Sequence, residues 1–172
     1  LADAALDAAL LVARAAVGPQ ADDVALAVIA MGKTGARELN YISDVDVVYV
    51  VGPAHDPHDV QEPISEEQLV EVGTHLATEL AHVVSATAPE PPLWPLDTAL
   101  RPEGKDGALV RTLDSHLAYY RRWAASWEFQ ALLKARACAG DVELGTRYEQ
   151  GVAPYVWEAS RRENFVEDAR AM

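Results

Sequence analysis

The run Val45–Val51, VDVVYVV, headed by Asp44 and carrying Asp46, constrains this chain more than any other stretch. Its density of β-branched residues reads as a strand buried in a core. Side chains on a strand repeat every second residue, so Asp44 and Asp46 project from one face. Two neighbouring carboxylates at the head of a core strand repel each other and lose hydration, which folding alone gives no reason to keep. A divalent cation supplies that reason.

A second apolar run, Val24 to Met31, has strand length and delivers the chain straight into Gly32-Lys33-Thr34-Gly35. Glycine lets the backbone approach an anion closely. The N–H groups of Gly32, Lys33 and the turn beginning at Gly35 read as an anion cradle, with Lys33 adding charge and Ser43 a hydroxyl. A Walker A loop is excluded, because that motif needs a glycine five residues before Gly32 and Ala27 stands there. Nucleotidyl transfer on two Mg²⁺ ions about 4 Å apart needs several carboxylates around phosphate oxygens. Asp97 is the candidate third ligand, in an alternating segment that sets Leu96, Thr98 and Leu100 on the opposite face. Arg101 shares the face of Asp97 if that strand continues, placed to pair with a phosphate or to stabilise the acid.

Around these motifs, Ala4 to Val17 reads as a helix ended by Gly18-Pro19, and Gly35 to Asn40 as about one helical turn. Gly52 to Pro63 reads as a loop holding His55 and His58. Ser65 and Gln68 form a capping box for a helix running to about Thr87, with Leu69, Val72, Leu76, Leu80 and Val83 at helical spacing. His75, Glu79 and His82 fall on its solvated face. Prolines break the chain between Pro89 and Pro95. From Ser115 the pattern is helical, in pieces His116 to Ala125, Trp127 to Ala139, Val142 to Ala159 and Glu163 to Met172. Trp123 and Trp127, one helical turn apart, are expected to pack these helices on the core. Lys134 and Arg136 read as surface salt links, with nucleotide phosphates as the alternative. The reading is an α/β catalytic core over 1–113 with a helical extension over 114–172.

With 172 residues, half of them apolar, the chain can bury a sizeable core. Its net charge of −13 leaves little with which to neutralise a long nucleic acid. Cys138, the only cysteine, allows no intrachain disulfide and suits a cytoplasmic setting, as a buried residue on a helix. No stretch suits a membrane span. The start at Leu1 without a signal sequence reads as a piece of a longer protein.

Gly32-Lys33, Arg37-Glu38-Leu39-Asn40-Tyr41, Ser43-Asp44-Val45-Asp46 and Leu100-Arg101-Pro102-Glu103-Gly104 together resemble the glutamine synthetase adenylyltransferase/adenylyl-removing enzymes. Trp127-Glu128-Phe129-Gln130-Ala131-Leu132-Leu133-Lys134-Ala135-Arg136 is similar to a helix that follows the catalytic core in that family. The resemblance covers most of Val24 to Asp141. Ala30 before Met31 and Thr34 after Lys33 depart from the family's commoner glycine-rich spelling there. The resemblance implies a DNA polymerase β-like nucleotidyltransferase core with a mixed sheet. It also implies a Mg²⁺ site of Asp44, Asp46 and Asp97, with Gly32, Lys33, Ser43 and Arg101 on the phosphate or nucleotide. The expected reaction is phosphorolytic removal of AMP from a tyrosine of glutamine synthetase, releasing ADP. The Glu38-Leu39-Asn40 spelling looks more like the N-terminal, removing half. The alternatives are the adding half, which transfers AMP from ATP, and a partner-binding fragment inactive in isolation. Implied partners are glutamine synthetase, nucleotide, phosphate and, through the full-length enzyme, a PII signalling protein.

Overall fold

A computed structural model of the chain describes residues 1–56, 58, 61–86, 94–159 and 161. The expected helix Glu163 to Met172 lies outside them. Both apolar runs are strands, β1 (Val24–Ala30) and β2 (Val45–Pro53), paired antiparallel from Val24 opposite Pro53 to Ala30 opposite Val47. The other edge of β2 carries two short parallel strands end to end. They are β3 (Leu96–Asp97) beside Val45 and Asp46, and β4 (Val110–Thr112) beside Tyr49 to Val51. β5 (Arg136–Gly140) closes the far edge, antiparallel to β1, so the sheet is mixed, in the order β3-β2-β1-β5 with β4 also on β2.

Helices cover both faces, which is why β1 and β2 read as continuous apolar runs and not as alternating ones. On one face Leu26, Val28, Val47, Tyr49 and Val51 pack with α1 (Ala2–Val17) and α3 (Glu66–Ser85). The short α2 (Gly32–Gly35) lies between β1 and β2. On the opposite face Ile29, Met31, Val48 and Val50 pack with α4 (Leu113–Arg122), α5 (Ser126–Leu132) and α6 (Val142–Ala159). The capping box of α3 forms as its residues dictate: Gln68 N–H donates to Ser65 Oγ, and Ser65 N–H donates to Gln68 Oε1. Among the described residues no helix is long and apolar enough to cross a membrane.

Several expectations are corrected. The expected helix Trp127 to Ala139 breaks after α5, and Arg136–Gly140 is a strand. The small residues there tolerate either state, and the open edge of β1 decides between them. The sheet therefore draws strands from both sides of residue 113. Cys138 lies on this strand, not on a helix. Its Sγ–H donates to the carbonyl of Val28, and burial pushes its thiol up to about 12. Trp123 is 69% exposed and Trp127 38%, so neither anchors the helices. That task falls to Phe129, Leu132, Tyr148 and Val152. The turn expected at Gly35 to Asn40 begins three residues earlier, as α2. β3 ends at Asp97, so Arg101 does not share a strand face with it.

Candidate active site

The loop after α2 brings the chain back to the head of β2, beside the end of β1. Met31 N–H donates to the carbonyl of Asp46, which locks the start of the Gly32 turn onto the acidic strand. On the outer edge, Val45 N–H donates to Pro95 O and Asp97 falls opposite Asp46 in parallel register. Residues in parallel register point to the same face, so Asp46 and Asp97 project side by side. Asp44 precedes the strand, exposed.

The electrostatics follow from this packing. Burial pushes the Asp46 carboxyl above the usual carboxylate range. The charges of Asp97 and Asp44 push it further up, while Lys33 draws it down. Gly32 makes the closeness possible. It adopts a left-handed φ of 49°, and a Cβ built on it would lie 2.8 Å from Asp46 Oδ2. A side chain at position 32 would thus displace the carboxylate as well as strain the turn. The ladder of the turn begins with Gly35 N–H to Met31 O and Ala36 N–H to Gly32 O. The N–H groups of Gly32, Lys33 and Thr34 precede that ladder, as in the first turn of any helix. The hydroxyls of Thr34 and Ser43 are shielded from solvent and have no hydrogen-bond partner.

Asp97 Oδ1 accepts from Ala99 N–H at 2.7 Å, which fixes the side chain and leaves its second oxygen for another partner. Among the described residues no three His, Cys, Asp or Glu side chains enclose an ion as they stand. Three like charges at one corner spread apart, and a divalent cation that draws oxygen ligands is what would gather them. The donor set, all carboxylate oxygen, suits a hard cation such as Mg²⁺. Arg101 is engaged within its own loop. Its Nε donates to Gly107 O, Nη1 to Thr98 O and Oγ1, and Nη2 to Lys105 O, so the guanidinium organises its own loop.

Two sets of contacts that bear on the site go beyond the sequence reading, which gave Arg136 as a surface salt link or a phosphate contact, and Arg136 does pair with Asp3. Arg136 reaches the carbonyl end of α2, donating to Gly35 O and Thr34 O. Tyr119 on α4 joins the Arg101 loop to α5, accepting from Glu103 N–H at 3.3 Å and donating to Glu128 Oε2 at 3.2 Å. The motif around Glu128 was visible in the sequence, but its partner nine residues upstream is set only by the α4–α5 turn. Lys134 pairs with Glu38 at 2.9 Å, the surface link its composition suggested.

A mixed sheet with helices on both faces, paired acidic residues at the head of one strand and a glycine turn beside them is that of a nucleotidyltransferase-like α/β core. The family model for glutamate-ammonia ligase adenylyltransferase matches residues 1–151. The chain belongs to that family. It is 53% identical over 172 residues to the bifunctional glutamine synthetase adenylyltransferase/adenylyl-removing enzyme of Streptomyces avermitilis. It is 54% identical over 181 residues to that of Leifsonia xyli subsp. xyli and 54% over 173 residues to that of Corynebacterium glutamicum. All of this chain is covered in each case, against 16%, 18% and 15% of those proteins.

Proposed function

We propose that this chain is a nucleotidyltransferase domain that removes AMP from an adenylylated tyrosine of glutamine synthetase by phosphorolysis. The observation that carries this reading is the corner where Asp46 and Asp97 lie in register, with the Cβ-free Gly32 turn against Asp46 Oδ2. Asp44, Asp46 and Asp97 would hold Mg²⁺, which when bound neutralises charge on the phosphate oxygens. Lys33, the N–H groups that open the Gly32 turn and the unpartnered Ser43 hydroxyl would hold inorganic phosphate. An oxygen of that phosphate forms a bond to the phosphorus of AMP as the bond to the tyrosine oxygen breaks. The products are ADP and free tyrosine. The residues act by positioning and charge control, which is where phosphoryl-type transfers draw most of their acceleration.

The relatives' names pair an adding with a removing activity, and the Glu38-Leu39-Asn40 spelling supports removal. The net charge of −13 supports a protein and not a long nucleic acid as substrate. The test incubates the complete protein with adenylylated glutamine synthetase, phosphate and Mg²⁺ and follows ADP. ADP release that disappears in Asp44→Asn, with transfer by any second catalytic domain separately inactivated, supports the reading. Label transferred from ATP to unmodified synthetase by this domain alone would overturn it.

A further inference from the structure

The cradle turn is gripped from behind by residues that the proposed chemistry does not use. Arg136 lies at the start of β5, 101 residues beyond Gly35, yet its Nε donates to Gly35 O at 3.1 Å and its Nη2 to Thr34 O at 3.3 Å. Thr34 O already accepts from Arg37 N–H at 3.2 Å, whereas Gly35 O is a carbonyl that the end of so short a helix leaves for an outside donor. The same guanidinium is held from the other side by Asp3, in the first turn of α1. Nη1 meets Oδ2 at 2.8 Å and Nη2 meets Oδ1 at 3.0 Å, a two-bond fork. The backbone before Arg136 is equally close to the turn. A Cβ at Gly35 would stand 1.9 Å from the carbonyl oxygen of Lys134, so no other residue fits there without moving β5. The ion pair is well matched: Arg136 holds Asp3 below the usual carboxylate range, and Asp3 raises Arg136 in return.

We propose that Arg136, oriented by Asp3, is a positioning residue that holds the Gly32–Gly35 turn in its anion-binding conformation and so sets the affinity for phosphate. It acts through the turn, touching neither phosphate nor metal. A positive fork on the carbonyl end cancels partial negative charge behind the site and fixes the direction of the N–H groups on the opposite end. The inference rests on the phosphate reading of that turn.

The test uses the complete protein carrying Arg136→Ala, Arg136→Lys, Asp3→Asn or Gly32→Ala. The readouts are KM for inorganic phosphate, kcat, calorimetric binding of inorganic phosphate with Mg²⁺ present, and Tm. Arg136→Ala is expected to raise phosphate KM and Kd about tenfold or more, the range found when supporting groups around a bound ion are lost, with a smaller change in kcat. Arg136→Lys is expected to move the same way, because one ammonium cannot serve two carbonyls and a carboxylate fork. A groove of about 500 Å³ lined by Asp3, Thr34, Arg37, Trp94 and Arg136, among others, opens this position to small cations. Millimolar guanidinium should therefore lower phosphate KM in Arg136→Ala and leave the parent unchanged. If Arg136→Ala fails to fold, Asp3→Asn carries the test, since it keeps the size of the side chain while removing its charge and one of the two acceptors. A lowered Tm with phosphate KM and Kd unchanged would overturn the inference. Gly32→Ala separates the two levels. If it raises phosphate KM and the Arg136 and Asp3 variants do not, only this inference fails; if it too leaves KM unchanged, the phosphate reading fails with it.

Discussion

At the scale of single residues the site sets stability against chemistry, and Asp46 is where the conflict is concentrated. Its carboxyl titrates above the usual range because it is partly desolvated and faces Asp97 and Asp44. A carboxylate whose folded-state pKa is raised favours the fold below its unfolded pKa, and that benefit is lost as pH rises through the folded value. Near neutral pH and without divalent metal, the charged Asp46 therefore opposes folding. Asp46→Asn should raise Tm at pH 7 by at most about 2–4 °C, the span of ~1 kcal/mol in a domain of this length, because solvent screens a partly exposed group. The gain should vanish below the ordinary carboxylate range, and AMP removal should be lost at every pH. Scanning calorimetry at the two pH values, beside the ADP assay, checks both halves. Asp44, Asp46, Lys33 and Gly32 were legible in the sequence because strand period and glycine chemistry are local. The clamp of Arg136 was not, since it joins positions a hundred residues apart through a strand that sequence period assigned to a helix.

At the scale of elements, the side chains between helices and sheet decide how the chain answers to pH and to loss of single contacts. His116 on α4 is 1% exposed. Its Nε2 lies 3.3 Å from the carbonyl of Tyr49, so the ring must donate there, and Nδ1 is left without a partner. Burial lowers its pKa to about 4, against 6.5 for the free side chain. For a group depressed in this way the stabilisation is complete above 6.5 and is lost as pH falls towards 4. The loss should approach roughly 3 kcal/mol across that window. Urea unfolding of His116→Gln should show a flatter pH dependence over the same range.

The Tyr119 hydroxyl makes a separate prediction. Tyr119→Phe removes the link from Glu103 N–H to Glu128, and should cost about 1 kcal/mol while loosening the loop of Arg101 to Gly107. Hydrogen exchange at Gly104 and Gly107 should then speed up, with β1 amides unchanged. α1, α3 and α6 were legible from capping and apolar spacing. α5 was overextended because Leu133 to Ala139 has composition compatible with a helix, and composition does not register an unpaired strand edge.

At the scale of the whole molecule, the C-terminal third completes the sheet. β5 pairs with β1, and α4 to α6 bury the face of Ile29, Met31, Val48 and Val50. Each of those side chains is worth about 1.5–3 kcal/mol buried, so together they match the 5–15 kcal/mol that holds a typical domain. A chain ending at residue 113 should therefore lack a cooperative unfolding transition and show poor amide dispersion by NMR, whereas residues 1–159 should unfold cooperatively and show well-dispersed amides. The fold class was readable from the two apolar runs and their flanking helices. The strand order was not, because pairing of β5 to β1 across more than a hundred residues leaves no local mark.

β3 has a consequence of a different kind. It adds only two rungs to the edge of β2, fastened by the bond from Val45 N–H to Pro95 O, while β1 and β2 share seven paired positions. Opening it needs little of the sheet to open, so its amides should exchange through local excursions rather than global unfolding. The third carboxylate thus rides on a part of the molecule that can shift independently of the frame. If these carboxylates grip a cation as proposed, Asp46 on β2 is the fixed jaw of a vice, and Asp97 its moving one.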